Sequence, residues 1–291
     1  MLLSEILKSY PDSDVISITN EKEFERFSRT TSITEVPVCV FVGSEHYIST
    51  IPENATMVIT TQELSEKIDN QTIGLCVSKN PKATYFRFFS NAYQCVEKEH
   101  IKTQIDSDCK IGKFVSIPDF NVKIGKNVVI EDFVTIFENV EIGDNCIIRS
   151  GARLGIQDYN FYNDENTLVH LPHYGKLIIE DNVEIGFNTV VGKALYPGDI
   201  TKIGRGSKIS NGCSIGHDCK IGNNAMIYAG SIVAGFVEIG ENVHITLNST
   251  VKNNIKIGNN VQINMGSVVI YDIPAGQTVF GNPARRIIAP R

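Results

Sequence analysis

The sequence predicts a mainly β protein, a parallel β-helix of about eight coils preceded by a small α/β domain. Three observations predict it. Ile-Gly is written five times at a spacing of eighteen residues, at Ile185, Ile203, Ile221, Ile239 and Ile257. Eighteen is three hexads, and aliphatics fall six apart without a slip from Ile203 through Ile209, Ile215, Ile221, Ile227, Val233, Ile239, Ile245, Val251, Ile257 and Ile263 to Val269. Two residues before each aliphatic the side chain is usually small, as at Ser207, Cys213, Cys219, Ala225, Ser231, Ser249 and Ser267. A helix repeats at 3.6 residues and a half-buried strand at 2. A period of six with a small-x-aliphatic pair describes instead a short strand that points two residues inward and then turns. Three such strands close a triangular coil, and stacked coils sit about 4.8 Å apart, one strand spacing.

The register reaches back through Val191 and Ile185 to Ile179. An earlier run carries Ile105, Ile111 and Ile117, one extra residue, then Ile124, Ile130, Ile136, Ile142, Ile148 and Leu154. The β-helix is therefore assigned to residues 101–273, each coil burying its inner face only when neighbours stack on it. Gly after the aliphatic, followed by Asn or Asp (Gly143-Asp144-Asn145, Gly222-Asn223-Asn224, Gly258-Asn259-Asn260), suits corners that bend and call for positive φ.

Residues 1–100 read as a different, α/β domain. Asn20 with Glu23 predicts a capping box opening a helix through Phe27, and Thr60 with Glu63 a second across Leu64 to Ile68. Val38–Val42, Thr56–Ile59 and Ile73–Val77 are short apolar runs that predict strands. Asn80-Pro81 predicts the start of a helix containing Tyr85, Phe86, Phe88 and Phe89. The domain contains neither GxGxxG nor a Walker sequence, which argues against a sugar nucleotidyltransferase domain.

Composition narrows the function classes. A net charge of −6 with no basic stripe argues against nucleic acid. No stretch approaches a membrane span, Met1–Ser13 lacks a signal-peptide pattern, and the cytoplasm is the expected location. The seven cysteines (39, 76, 95, 109, 146, 213 and 219) contain no CxxC pair, so neither a disulfide framework nor a zinc knuckle is expected. Cys213 and Cys219 occupy the small inward position and read as core fill.

Two interruptions of the beat are the candidate functional segments, because solenoid insertions usually sit on the binding face. One runs from Gly155 to Gly175, rich in aromatics, Asn and Asp, with His170 and His173. The other runs from Gly192 to Thr201, with Pro197 at a hexad position and Asp199 following. The candidate chemistry lies at His217, two residues past the inward Ile215 and so outside the prism wall. Asp218 adjoins it, Asp199 lies eighteen residues before it, and Gly235 eighteen after. A base beside a backbone N–H that no side chain shields is the pair acyl transfer needs, one group to take a proton and one to hold an oxyanion. Asn211, one hexad earlier, is also outward.

The stretch from Val183 to Gly240, including Ser214-Ile-Gly-His-Asp-Cys-Lys-Ile-Gly, resembles the hexapeptide-repeat acyltransferases, and among them the UDP-3-O-acylglucosamine N-acyltransferases of lipid A synthesis. That resemblance implies a left-handed β-helix, against the usual right-handed crossover rule. It also puts the family's catalytic His on His217 and its thioester-facing amide on Gly235. Leu171-Pro-His-Tyr-Gly-Lys is similar to the family's long loop, and Ser78-Lys-Asn-Pro-Lys-Ala to the segment closing its uridine-binding domain. The family's second His falls on or near Asn254. Its C-terminal helical extension has no counterpart; residues 274–291, with Gly281-Asn-Pro-Ala-Arg-Arg, resemble instead the CoA-dependent sugar acetyltransferases.

The resemblance implies transfer of an acetyl or other short acyl group from acyl-CoA to the amine of a nucleotide-linked amino sugar, for lipopolysaccharide or another surface glycan. His217, Asp218 and Gly235 would be catalytic, Asp199 and Asn211 would bind substrate, and Lys252, Arg285 and Arg286 together with Gly235 would meet CoA. It also implies a homotrimer and no metal. Acyl carrier protein as donor, and a sugar hydroxyl as acceptor, remain open. A zinc carbonic anhydrase on the same prism needs three His, and the regular coils hold only His217 and His244, twenty-seven residues apart. A purely structural β-helix leaves the polar loop without a purpose. Tyr47, Phe86, Tyr159 and Phe161 are candidate stacking partners for the nucleobase.

Overall fold

A computed structural model describes residues 1–31, 34–69, 71–94, 100–283 and 285–286. The chain divides into two compact units, 1–98 with 159–172, and 99–158 with 173–291. Among the described residues no helix is long and apolar enough to cross a membrane.

In the first unit a five-stranded sheet runs in the order Val15–Thr19, Gly74–Ser78, Ala55–Thr60, Val38–Val42, Arg26–Phe27; only the first pair is antiparallel. Helix Pro81–Gln94 starts as predicted, because the Asn80 side chain accepts from the Ala83 N–H and Pro81 has no N–H to lose. Its Tyr85 and Phe89 pack edge-on against the fully buried Phe27. The helix predicted from Asn20 does not form. Arg26–Phe27 instead pairs with Val38–Cys39, and burying the Phe27 ring outweighs the weak local preference for helix. The second predicted helix is a single turn, Gln62–Ser65, capped by Thr61 rather than Thr60, whose hydroxyl donates to Val42 inside the sheet. Helix Leu3–Ser9 and strand Val15–Thr19 carried no signal strong enough to be read.

The insertion's hairpin, Phe161–Asp164 paired with Thr167–His170, belongs to this first unit. Tyr162 packs on Phe86, and Arg87 bridges Asp164 to Asp12 and Asp14. Burial works against the Arg87 charge, but its hydrogen bonds to Asp12 and Asp14 outweigh it and hold the guanidinium pKa above its ordinary value.

The second unit is a left-handed parallel β-helix with three faces. The first face has eight strands, from Gln104–Ile105 to Lys256–Ile257; the second has ten, from Lys110–Ile111 to Arg285–Arg286; the third has seven, from Thr135–Ile136 to Val268–Val269. The hexad aliphatics form one continuous core, with Ser207, Cys213, Cys219, Ser231, Ser249 and Ser267 buried beside them. Burial pushes the Cys219 thiol up to about 12, as expected of core fill. Ile105 and Ile111 stand half exposed, because the first coil has no coil beneath it to cover them. Stacking also runs past 273: Thr278–Phe280 lies parallel on Gln262–Ile263.

The Ile-Gly beat has a different cause from the one its sequence suggests. Positive φ falls on the Asn two residues later, at Asn145, Asn224 and Asn260. The glycine is needed for clearance, since a Cβ on Gly222 would lie 2.6 Å from the Gly240 backbone in the next coil.

Paired residues on adjacent coils are normally eighteen apart, as with Ile203 and Ile221. Val140 pairs with Leu177, thirty-seven away, and Val190 with Ser214, twenty-four away, so the interruptions add nineteen and six residues. Both open where the third face turns into the first, in successive coils. The next corner up that edge is Gly216-His217-Asp218.

Candidate active site

The His217 ring is held on three sides. Its Nδ1 lies 2.9 Å from Asp218 Oδ2, which also accepts from the Leu195 N–H at 2.9 Å. An oxygen already accepting from a backbone N–H presents a lone pair to Nδ1, so the imidazole carries its proton there and Nε2 keeps the free pair. Asp218 is in turn fixed by its positive φ and by its N–H donating to the buried Thr201 hydroxyl at 2.8 Å. Phe236 meets the ring edge-on at 4.7 Å, and His173 stacks on it at 5.1 Å with 29° between planes.

Gly235 lies one coil above, as its spacing predicted, since Ile215 pairs with Val233. A Cβ there would sit 2.7 Å from His217 Nε2, so glycine makes room for the imidazole itself. A Cβ on Gly216 would come within 2.6 Å of the Gly235 nitrogen. Among the described residues no protein acceptor is paired with the Gly235 N–H. A lone pair on Nε2 and an available N–H therefore face the same outer strip of the prism edge.

Asp199 is not in this column. The six extra residues between Val191 and Ile203 break the count of eighteen, and the register Val191–Ile215 puts the buried Lys193 beneath His217. Asp199 instead leads into strand Ile200–Ile203, its carbonyl accepting from the Lys176 N–H. For the same reason Pro197 is part of the insertion and holds no hexad position in the wall. Asn211 sits on another edge, between the second and third faces, where its side chain accepts from the Phe187 N–H. There it lines a groove of about 500 Å³ with Arg149, Lys208 and Tyr228. Lys252 is exposed on the His217 edge, one coil above Ala234. Asn254 is on that edge too, donating its N–H to the Gly235 carbonyl. Arg285 and Arg286 form the exposed last strand of the second face, away from this edge; Ala284 and residues 287–291 of the tail, like Cys95, fall outside the described residues. Of the candidate stacking rings, Phe86 is buried, while Tyr159 is 92 % exposed beside Phe161.

Leu195, Thr201, Phe236, Asp158 and His173 were not singled out as site residues in the sequence. His173 alone gave a signal, as one of two His in the polar loop.

The model of the bacterial transferase hexapeptide (six repeats) matches residues 121–155, 200–235 and 218–253, taking in His217 and Gly235. Over these segments the chain is similar to the bacterial transferase hexapeptide repeats. This hexapeptide-repeat protein is 37% identical over 99 residues to the UDP-3-O-acylglucosamine N-acyltransferase of Shewanella denitrificans, covering 34% of its own length and 28% of the relative's. It is 30% identical over 168 residues to that of Polynucleobacter asymbioticus, 46% of each chain. It spans about half the length, or less, of these curated relatives. Among solved structures it is similar to the UDP-N-acetylglucosamine acyltransferase of Francisella novicida, with a TM-score of 0.57 and 26% identity over 65% of this chain and 67% of that one.

Proposed function

We propose that this hexapeptide-repeat protein is an acyltransferase that moves an acetyl or other short acyl group from acyl-CoA to the amine of a nucleotide-linked amino sugar. The observation that carries the reading is the His217 Nε2 lone pair set against Gly235, whose N–H has no protein acceptor among the described residues. The amine attacks the thioester carbonyl, a C–N bond forms, and the carbonyl electrons move onto oxygen, where the Gly235 N–H stabilises them. Nε2 takes the proton from the attacking nitrogen. Asp218 stabilises the resulting imidazolium. Collapse of the intermediate breaks the C–S bond, and the imidazolium proton passes to the departing thiolate, leaving amide and free thiol.

The names of the curated relatives support an amine acceptor on a UDP-sugar. Lys252, on the same edge, is the favoured phosphate contact within one chain. Arg285, Arg286 and Asn211, on other parts of the prism, would reach the reaction only in an assembly, and we assign a homotrimer with the donor groove between neighbouring prisms.

The test is turnover of UDP- and dTDP-amino sugars by wild type and His217→Ala, with acetyl-CoA and with acetyl-acyl carrier protein as donors. The expected result is turnover with acetyl-CoA that falls by about 10²–10⁴ in the variant. Near-full activity of His217→Ala would overturn the mechanism, and turnover only with acyl carrier protein would overturn the donor.

A further inference from the structure

The two ends of the long insertion meet at the His217 corner. The chain leaves the prism unit after Asp158 and returns to it at His173. The Asp158 carboxylate accepts from the His217 backbone N–H at 2.9 Å, and the Asp158 N–H donates to His173 Nδ1 at 2.8 Å. His173, only 2% exposed, lies flat against the His217 ring. A backbone N–H can only donate, so Nδ1 of His173 carries its lone pair and the proton sits on Nε2. The stacked ring is thereby neutral, and it covers one face of His217 without placing a second cation there.

The coil below leaves room for this contact. A Cβ on Gly192 would stand 3.3 Å from the Asp158 carboxylate and 3.1 Å from the His217 nitrogen, both tighter than ordinary contact. In several regular corners the N–H equivalent to that of His217 is held by a side chain of the adjoining coil, as Asp144 holds Lys126 and Asn259 holds Glu241. At His217 the insertion supplies the acceptor instead.

We infer that Asp158 and His173 are positioning residues for His217: Asp158 fixes its backbone, His173 fixes the plane of its ring, and together they aim Nε2 at Gly235. The catalytic consequence rests on the acyltransfer reading; the geometric one does not. A misplaced base costs about ten- to a hundredfold in rate. The experiment pairs steady-state kinetics with imidazole ¹⁵N spectra of labelled protein, using His217→Ala to assign the His217 signals. In wild type His217 should show a single tautomer protonated at Nδ1. His173→Ala should mix the tautomers and lower kcat about ten- to a hundredfold with KM little changed. His173→Gln, which keeps an acceptor for the Asp158 N–H, should recover most of both. Asp158→Ala reads the same two quantities with His173 in place, and Asp158→Asn should rescue it. Wild-type ¹⁵N shifts and kcat in both alanine variants would overturn the inference. Altered shifts in a protein whose His217→Ala variant keeps full activity would uphold the positioning and remove the acyltransfer reading instead.

Discussion

The edge between the first and second faces and the edge between the third and first are made from the same hexad grammar, yet only the second carries the candidate site among the described residues. On the first edge several corners close on themselves. Gly222 lets the next coil approach, Asn224 takes the positive φ, and side-chain oxygens such as Glu180 for Arg205 and Asn259 for Glu241 occupy the exposed N–H groups. On the other edge Asp218 and Phe236 take the positive φ, His217 replaces a corner residue, and the Gly235 N–H is left for a ligand. What sets this edge apart is the imidazole placed beside that N–H, held by Asp218 and Phe236.

That contrast can be broken from either side. The largest effect is expected for Gly235→Ala, whose methyl would strike Nε2: kcat/KM should fall by about a thousandfold while circular dichroism stays native. Asp218→Asn keeps a residue that tolerates positive φ but removes the charge beside Nδ1, and kcat should fall about a hundredfold. On the quiet edge Gly222→Ala should do the opposite, lowering stability by about 1–3 kcal/mol in urea unfolding with kcat per folded molecule unchanged. Asn224→Ala should cost about 1 kcal/mol through its φ of 55°, and Asn224→Gly should cost little.

The smallest effect is electrostatic. The hydrogen bond from Arg149, with help from Ser150, holds the Glu131 carboxyl below its usual range despite some desolvation. A depressed folded pKa contributes stability that is present above the unfolded value, about 4.3, and is lost as pH falls through the folded one. Arg149→Gln should therefore lower stability slightly above about pH 4.3 and converge with wild type as pH falls through the folded value, a difference read by melting temperature against pH. The pair is only partly buried, so the change should be slight.

The fold was legible because burial in a β-helix is periodic: an aliphatic every six residues can only be explained by a wall. His217, Asp218 and Gly235 were legible for the same reason, the first two as neighbours and the third one period away. Asp199 failed because counting by eighteen assumes a continuous wall, and six residues had been slipped in between Val191 and Ile203. Asp158 and His173 could not be found by any period, since fourteen residues separate them and the contact forms only when the chain returns to the prism. In the first unit the error at Arg26–Phe27 had the usual source: capping chemistry is local, whereas the burial of Phe27 against Tyr85 and Phe89 depends on residues about sixty positions away.

Both insertions leave from one edge, and neither disturbs the inward register of the coils on either side. Lengthening a surface loop costs only about 0.6 kcal/mol for each doubling. The molecule therefore separates two kinds of inheritance. Its interior can be copied coil by coil under strict packing constraint, while one rim accepts segments of different length that bury a few side chains of their own, such as Tyr162 and Tyr196. New acceptor preferences could be grafted between Asp158 and His173 by exchanging loops between relatives, keeping the buried Tyr162 and Leu171; 192–201 is less free, because Leu195 and Thr201 hold Asp218.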